Sequence, residues 1–415
     1  MIKTDVLIIG KGLAGLVAAN AVVRNVTNEN DVYVVTLGMA ASFGPHMSRL
    51  GFANAANGET HYRETKKKAD GLADDKLMRV LCERGWKTLL DLETLGVGFI
   101  SGGPVCFGYY TYAVTANAND VLQMIRPLSK HVRYASKVIR QLIVQDGRCL
   151  GAIDATGNVI SAKAVILATG GGCGIYSNCY VPSTGHGYVM ALRAGCELVN
   201  MDMIQFIPGV DGKQDISVVV RNAARLTHGP FSASMNDHSG DIALYKETQR
   251  DGSPVHYAQC FNGGVVINEN CETQVKGLYA CGEVAGGVHG ADRLGGNAQL
   301  AALVFGKIAG EQAAQYAQSV TRELADEQTT EPMHFHDLSE RRDMFFSAGI
   351  VRSAGVLAWG IERTSDCLLA QAMLQTMQAR RESRGAHYRE DFPDRDDEFS
   401  HPIKVKLAHG QINVS

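Results

Sequence analysis

The N-terminal segment constrains the fold of this chain more than any other part of the sequence. A β-rich apolar run at residues 5–9 leads into a Gly-x-Gly-x-x-Gly turn at residues 10–15. A helical stretch follows at residues 16–24, and a second short apolar strand follows at residues 31–35. A dinucleotide-binding fingerprint requires this order of strand, glycine turn, helix and strand. The segment therefore predicts a Rossmann-like α/β domain.

Each glycine of this turn has its own expected role in binding a dinucleotide. Gly10 permits the turn, Gly12 lets backbone N–H groups approach a pyrophosphate, and Gly15 lets the helix pack on the strand. Leu13 and Ala14 lie between these glycines, just before the predicted helix, whose positive N-terminal end is expected to face the phosphates. We expect all five residues to line the cofactor site.

The end of the second predicted strand weakens the case for a nicotinamide cofactor. An acidic residue at this position usually accepts hydrogen bonds from the adenosine ribose. In this chain Thr36 stands in its place, and a hydroxyl holds a ribose less firmly than a carboxylate does. The residues themselves predict a dinucleotide without deciding which one.

Two more segments of strand plus glycine lie far along the chain. The first ends in Ala168, Thr169 and Gly170, and the second ends in Gly282 and Glu283. Both follow apolar, strand-like runs, as the N-terminal turn does. Segments spread so widely are expected to belong to one nucleotide-binding domain that insertions interrupt.

The division of the chain into domains follows from these positions. We expect a discontinuous dinucleotide-binding domain of residues 1–203 and 260–314, with a small capping domain of residues 204–259 inserted in it. Residues 369–381 have a clear helical pattern, and they predict a C-terminal helical domain and tail over residues 334–415.

Taken together, these segments resemble the flavoprotein subunits of succinate dehydrogenase and fumarate reductase, and their relative L-aspartate oxidase. The matching stretches are residues 10–15, 168–171, 190–195, 202–206, 263–266, 277–283, 289–297, 382–387 and 389–393. The resemblance covers most of the chain. It implies FAD bound along the glycine segments, a mobile cap over the flavin, and redox chemistry on a small carboxylate.

The resemblance also implies how parts of the flavin are held. Glu283 is expected to accept hydrogen bonds from a ribose or ribityl hydroxyl, and its alternative is an ordinary surface carboxylate at a strand end. Gly296, Asn297 and Ala298 lie at the start of a predicted helix, whose N-terminal end would favour the negative charge of reduced flavin. These residues complete the expected FAD site on the C-terminal side of the chain.

The attachment of FAD is expected to be non-covalent. Respiratory members of the family carry a flavin-linked histidine after the second strand, but the spacing of His46 to Gly51 does not match that pattern well. Ser42, Ser48 and Gly51 are expected to contact the pyrophosphate or the flavin edge.

The same resemblance implies a substrate site around the segment of residues 289–297. Arg293 matches an arginine that binds a substrate carboxylate, for which the planar, permanently charged guanidinium is well suited. The alternative is a structural ion pair of Arg293 with Asp292 or another acid. Asp292 replaces the usual asparagine of the family. His289 matches a histidine near flavin and substrate, and its alternative is a satisfied core histidine.

Other substrate-site positions depart from the family pattern. Ile207 replaces a histidine, and the inserted cap is short. Arg221 is only a loose counterpart of the arginine that delivers a proton, with a solvated helix arginine as its alternative. His256 is offered as a second histidine, although Gln259 could occupy that place. Succinate–fumarate interconversion is therefore doubtful, and a different carboxylate is expected.

Composition excludes several other classes of function. Lys and Arg total 40 against 43 Asp and Glu, a formal net charge of -3, which argues against nucleic acid and against a polybasic membrane patch. No apolar run is long enough for a transmembrane segment, and the N-terminal apolar run is too short for a signal peptide, so we expect a cytoplasmic protein. The sequence contains no Cys-x-x-Cys pair and therefore predicts no local zinc or iron–sulfur site.

Three hypotheses about function follow. The first is an FAD-dependent oxidoreductase that transfers a hydride between flavin and a small carboxylate-bearing substrate. The second is a flavoprotein electron-transfer subunit of a larger complex, whose iron–sulfur clusters a partner would supply. The third is a flavin-binding scaffold or redox sensor without catalysis.

Overall fold

The computed structural model describes residues 1–25, 32–36, 49–53, 56–104, 111–127, 131–179, 181–210, 213–214, 255–321, 343–344 and 347–415. The strands are β1 (Ile2–Ile9), β2 (Val32–Thr36), β3 (Arg49–Ala53), β4 (Ile100–Pro104), β5 (Tyr112–Asn117), β6 (Val132–Ser136), β7 (Ile139–Gln145), β8 (Arg148–Asp154), β9 (Val159–Leu167), β10 (Leu198–Val199), β11 (Ile204–Val210), β12 (Lys213–Gln214), β13 (Val255–Phe261), β14 (Gly264–Val265), β15 (Leu278–Ala280), β16 (Lys404–Ala408) and β17 (Gln411–Val414). The α-helices are α1 (Leu13–Arg24), α2 (Gly58–Ala69), α3 (Asp75–Thr94), α4 (Ala118–Ile125), α5 (His186–Arg193), α6 (Asn297–Ser319), α7 (Ala354–Arg363) and α8 (Leu368–Ala379).

A seven-stranded sheet lies at the centre of the fold. Its order is β6-β2-β1-β9-β8-β7, and β15 pairs with the end of β9 beside β8. Strands β6, β2, β1, β9 and β15 are mutually parallel, whereas β8 pairs in antiparallel fashion with both β9 and β7. The side chains of β1 and β9 are buried almost throughout because helices cover the sheet, which explains their continuous apolar sequences.

The parallel strands place their carboxyl ends at one edge of this sheet. The chain leaves that edge at Gly10 after β1, at Ala168 after β9 and at Cys281 after β15. Segments that are more than a hundred residues apart in sequence are thereby brought to one edge. Open α/β sheets bind ligands at this edge, where the strand order reverses on either side of β1.

Helices α1 and α6 pack against each other at glycines. A Cβ on Gly306 would lie 2.8 Å from the carbonyl oxygen of Ala14, and a Cβ on Gly310 would overlap the carbonyl oxygen of Ala18. Only glycine permits this close approach of the two backbones. The N-termini of the two helices are thereby set on the same side of the sheet as the glycine turns.

Smaller sheets surround the central one. Strands β3, β4 and β5 form one antiparallel sheet, and β11, β12 and β13 form another. The sequence predicted a C-terminal helical domain, and helices α7 and α8 are present there. The tail also contains the hairpin β16–β17, which pairs with β10. This pairing was not visible in the sequence because it joins residues about two hundred positions apart.

Buried ion pairs attach the tail to the rest of the chain. The fully buried guanidinium of Arg380 donates to Asp202 over 2.5 Å, and it also contacts Glu382 at 3.2 Å. Arg384 donates to Glu382 over 2.7 Å and to the carbonyl oxygen of Asp70 over 3.0 Å. Because removing one partner of a buried pair leaves an uncompensated charge, these contacts hold the tail firmly in place.

The predicted fold class is confirmed: an α/β protein with a Rossmann-like domain, an insertion and a C-terminal helical region. Helix α1 begins at Leu13, three residues earlier than the sequence pattern suggested. The domain limits stay predictions, since most of the expected cap, including Arg221, lies outside the described residues. None of the described helices is long and apolar enough to cross a membrane.

Candidate functional site

The first glycine turn has the geometry that its sequence predicted. Gly10 has a φ of +122°, and a Cβ there would overlap the carbonyl oxygen of Ala168. A Cβ on Gly15 would overlap the carbonyl oxygen of Gly10. No described residue lies within 4 Å of a Cβ placed on Gly12. Gly10 and Gly15 are thus required by the packing of the chain, whereas the described residues leave open space beside Gly12.

The N-terminus of α1 opens onto the same space. Its N-cap is Gly12, no side chain caps it, and its first turn carries no acid. The N–H groups of such a turn have no intrahelical partner, and they attract phosphate. The side chains of Leu13 and Ala14 are buried, so only their backbone N–H groups are suited to a ligand. This donor set fits a pyrophosphate.

The three glycine segments are in direct contact with one another. Gly10 packs on Ala168, and a Cβ on Gly282 would lie 2.8 Å from the Cβ of Ala14. The hydroxyl of Thr169 is buried and has no hydrogen-bond partner among the described residues. Gly170 has a φ of +74°, which a residue with a side chain rarely adopts. The structure therefore brings all three segments into one site.

Glu283 has a more defined environment than a surface carboxylate at a strand end. Its Oε1 accepts a hydrogen bond from the backbone N–H of Phe261 over 3.0 Å, and the carboxylate also accepts one from the N–H of Gly171. Burial raises the pKa of Glu283 in spite of these donors. A carboxylate has capacity for further donors, so the predicted contact with a ribose or ribityl hydroxyl stays open.

The N-terminus of α6 forms a second candidate anion site. Its N-cap, Gly296, has a φ of +80° and packs against the backbone of Ala53, and no side chain caps the helix. Asn297 is buried, accepts a hydrogen bond from Nε2 of His61 over 2.7 Å and donates to Thr65 over 3.0 Å. Burial lowers the pKa of His61, so the imidazole is neutral.

His61 and Thr65 were not predicted from the sequence. They lie on α2 and meet Asn297 across more than 230 positions of sequence. Nδ1 of His61 is buried without a partner among the described residues. The i, i+4 spacing of the two residues places them on one helix face, but nothing in the local sequence indicates what that face meets.

Arg293 and His289 lie together on the loop before α6. The charge of Arg293 and burial together lower the pKa of His289 to about 3, with burial the larger cause. Nε of Arg293 and Nδ1 of His289 are both buried and have no hydrogen-bond partner in the part of the chain that the structure describes. Two such atoms on one loop fit a bound polar ligand.

Asp292 does not form the ion pair with Arg293 that the sequence left open. Lys68 donates to its Oδ2 over 2.6 Å, and Gln205 donates to its Oδ1 in a short hydrogen bond. Arg293 instead contacts the sulfur of Cys260, whose thiol donates to Oε1 of Gln205 over 3.0 Å. Lys68, Gln205 and Cys260 are therefore neighbours of the Arg293 loop that the sequence did not identify.

His256 lies some distance along β13 from this loop. It is buried, and burial lowers its pKa to about 4. It lies four positions before Cys260, which contacts Arg293, and four positions correspond to roughly 13 Å of extended strand. Gln259 is the extra residue of a β-bulge, since Gln205 pairs with Cys260 and Phe206 pairs with Ala258. A catalytic role for His256 stays a prediction.

The remaining predicted residues are placed only in part. Thr36 ends β2 at the expected edge of the sheet. Gly51 lies in β3, and a Cβ there would meet none of the described residues within 4 Å. Ala298 is the second residue of α6. Ser42, Ser48 and Arg221 lie outside the described residues.

Comparisons with known proteins agree with this geometry. A family model described as an FAD binding domain matches residues 5–225 and 238–298. A second model, described as the C-terminal part of fumarate reductase flavoproteins, matches residues 352–413. The two models together cover most of the chain.

Two relatives match almost the whole chain. An uncharacterized FAD-dependent oxidoreductase of Methanocaldococcus jannaschii is 29% identical, over 97% of this chain and 96% of its own length. A subunit of the fumarate reductase (CoM/CoB) of Methanothermobacter marburgensis is 28% identical over the same shares. The first alignment spans 528 positions and this chain has 415 residues. The first relative therefore carries more than a hundred residues that this chain lacks.

Solved structures share the fold. A variant of the quinol fumarate reductase FrdA of E. coli superposes with a TM-score of 0.87 at 19% identity, over all of this chain and 96% of that one. At this identity the likeness shows the architecture and not the substrate.

Proposed function

The chain belongs to the family of succinate dehydrogenase and fumarate reductase flavoproteins and uses FAD as its cofactor, and on this premise we propose the reaction that it catalyses. It transfers a hydride between FAD and a small carboxylate-bearing substrate that is distinct from succinate and fumarate. Arg293 binds the carboxylate, and His289 forms a hydrogen bond to the substrate beside it. The observation that carries this proposal is the pair of buried, unpartnered atoms, Nε of Arg293 and Nδ1 of His289, among the described residues.

The residues that would hold FAD fit its chemical groups. The N-terminus of α1 beyond Gly12 suits the pyrophosphate, and Glu283 suits a hydroxyl. The N-terminus of α6, which begins at Asn297, suits the pyrimidine end of the ring because its dipole favours negative charge there. When bound, FAD supplies a two-electron acceptor or donor that exchanges a hydride with carbon.

Arg293 is placed to orient the substrate rather than to move a proton. A guanidinium stays protonated at all working pH values, and its planar fork matches a carboxylate through two hydrogen bonds. Burial around Arg293 excludes water, which strengthens the attraction between the two charges. The carboxylate is thereby fixed relative to the loop that leads into α6.

His289 is a neutral hydrogen-bonding group in this site. Its pKa of about 3 means that the imidazole does not add a second positive charge next to Arg293 at physiological pH. Neither Arg293 nor His289 is proposed to exchange the substrate proton. Arg221 is proposed for that role on the resemblance alone.

The substrate class follows from what these residues can bind. The described loop supplies one guanidinium and a neutral histidine, which suit one carboxylate. The position of the substrate-site histidine is occupied by Ile207, which favours a less polar second end of the substrate. Both features support a carboxylate other than succinate or fumarate.

The test begins with the purified protein and its flavin. We expect a yellow protein whose flavin is released by denaturation, as non-covalent binding requires. Anaerobic mixing with a panel of small carboxylates should bleach the oxidised flavin, or reoxidise the reduced flavin, with one of them. Absence of flavin after reconstitution, or absence of any reaction across the panel, would contradict the proposal.

Variants then assign the reaction to the loop. Arg293→Ala should reduce kcat/KM by at least about 10³-fold, since it removes a buried charged contact worth several kcal/mol. Arg293→Lys should retain part of the activity because it keeps the charge without the planar fork. The matched control is Arg363→Gln, which removes an exposed arginine paired with Asp343. The control should leave kcat/KM unchanged.

A second candidate function is that of a flavoprotein subunit in an electron-transfer complex. The relative in Methanothermobacter marburgensis is named as a subunit, and the matched C-terminal model covers residues 352–413. No cluster of metal-ligating side chains occurs within the described ranges, so an iron–sulfur partner would supply the clusters. Isolation of the native protein with an iron–sulfur protein would support this function, and full activity of the isolated chain with a soluble acceptor would oppose it.

A further inference from the structure

A buried lysine forms an ion pair with the residue that precedes Arg293 in the proposed carboxylate site. Nζ of Lys68 is 2.6 Å from Oδ2 of Asp292, and the two side chains are only 6% and 11% exposed. Asp292 precedes Arg293 in the chain, whereas Lys68 lies on α2, 224 positions away. A charged lysine is almost never buried unless an ion pair or hydrogen bonds offset the loss of its hydration.

Asp292 is a natural competitor for the guanidinium of Arg293. The charges of Asp292 and Arg293 already act on each other at their present distance. In a site with little water, a carboxylate without another cation would attract the nearest guanidinium strongly. An Asp292–Arg293 pair would satisfy the guanidinium internally, and a substrate carboxylate would then have to displace it.

The observed contacts prevent this competition. Lys68 holds one oxygen of Asp292, and Gln205 donates to the other. Gln205 is fixed in turn by the thiol of Cys260, and the sulfur of Cys260 contacts Arg293. Each oxygen of Asp292 therefore already accepts a hydrogen bond from another residue, while Nε of Arg293 has no partner in the described part of the chain.

We propose that Lys68 is a positioning residue that keeps Arg293 available to a substrate carboxylate by holding Asp292 in a buried ion pair. This inference rests on the proposed function, because it concerns the same carboxylate site. Lys68 itself does not touch the substrate. Its effect is on the affinity for a carboxylate, through the partner that Asp292 adopts.

The test uses the FAD-loaded protein and malonate as a small carboxylate probe, followed by the flavin absorbance. Lys68→Met should weaken malonate binding by about tenfold or more, since Asp292 then pairs with Arg293. The double variant Lys68→Met/Asp292→Asn should bind malonate within about threefold of the wild type, because both charges are gone. Lys307→Met, which removes the exposed partner of Asp91, is the matched control and should change nothing.

A second measurement requires neither a substrate nor turnover. Phenylglyoxal reacts with guanidinium groups, and mass spectrometry locates the modified arginine. Arg293 should react more slowly in Lys68→Met than in the wild type, and the double variant should restore the rate. Asp292→Asn alone should leave the rate unchanged or raise it, which keeps the proposal testable where Lys68→Met does not fold.

The outcomes separate this inference from the proposed function. Wild-type malonate affinity in Lys68→Met, or a double variant as weak as Lys68→Met, would overturn the role of Lys68 while the carboxylate site stands. A merely structural role would lower the stability of Lys68→Met without slowing the modification of Arg293, and that result would also overturn it. If phenylglyoxal gives the expected order but the wild type binds no carboxylate, the proposed function fails and the role of Lys68 in freeing Arg293 is supported.

Discussion

Gly12 is the N-cap of α1, and Gly15 lies in its first turn. Substitutions at these two glycines distinguish an effect on backbone packing from an effect on ligand binding. A Cβ on Gly15 would lie 2.1 Å from the carbonyl oxygen of Gly10, an overlap that the backbone must shift to relieve. A Cβ on Gly12 would meet none of the described residues within 4 Å, and Gly12 has a φ of -76°, which any residue adopts. The same substitution, glycine to alanine, should therefore have different effects at the two positions.

Gly15→Ala should destabilise the FAD-free protein, and Gly12→Ala should not. Relief of a buried overlap costs about 1–3 kcal/mol, whereas a substitution into open space changes stability by about 0.5 kcal/mol or less. For FAD binding the expectation for Gly12→Ala is the reverse, since its methyl group would occupy space beside the α1 N-terminus where a pyrophosphate approaches. We expect at least about a tenfold loss of FAD affinity, which corresponds to about 1.4 kcal/mol.

The assay is urea denaturation of the FAD-free variants, followed by titration of FAD with flavin fluorescence as the signal. Gly147 has a positive φ, so Gly147→Ala would strain the backbone and is unsuitable as a control. Gly98 has no positive φ, and a Cβ there would meet none of the described residues within 4 Å, so Gly98→Ala is the control. Gly98→Ala should match the wild type in both measurements. If Gly12→Ala binds FAD as tightly as the wild type, or unfolds as early as Gly15→Ala, then the open space beside Gly12 is not where the cofactor lies.

Two further predictions concern stability. His289 has a pKa of about 3 in the folded chain and about 6.5 when unfolded, so the unfolded state binds the proton first and stability is lost as the pH falls below 6.5. Between pH 8 and pH 5 this loss is about 2 kcal/mol, and His289→Gln should lose that much less in urea denaturation; an identical loss in variant and wild type would contradict the environment described for His289. Asp202→Asn should lower the free energy of unfolding by about 3 kcal/mol because it removes the closer of the two carboxylates that the buried Arg380 contacts. Arg363→Gln, at an exposed pair, should cost at most about 1 kcal/mol in the same assay, and equal losses in the two variants would contradict the reasoning.

Local sequence patterns predicted the parts of the site that depend on backbone alone. Gly15 is required by a contact within the strand–turn–helix unit, with the carbonyl oxygen of Gly10, and Gly10 takes a positive φ in the turn itself, so the residue types reveal both positions. The order of strands and glycine turns also indicated that three distant segments belong to one nucleotide-binding domain. These features follow from short-range geometry and from the parallel arrangement of buried strands.

Side-chain partners across the fold were not predictable in the same way. The sequence left open whether Asp292 pairs with Arg293, and the structure pairs it with Lys68, 224 positions away. The partners of Asn297, His61 and Thr65, are equally distant and have no local signature. A single sequence carries no record of which residue lies opposite which when helices and strands pack.

The sequence by itself determined that this chain has a dinucleotide-binding α/β fold, because glycine positions and apolar strands are properties of consecutive residues. Its resemblance to a flavoprotein family identified the expected cofactor as FAD, and the comparisons confirmed FAD. Only the tertiary structure decided that Asp292 forms a buried ion pair with Lys68. It also decided that the buried Nε–H of Arg293 has no hydrogen-bond partner among the described residues. The reason is physical: the strength of a charge–charge contact depends on distance and burial, and packing sets both.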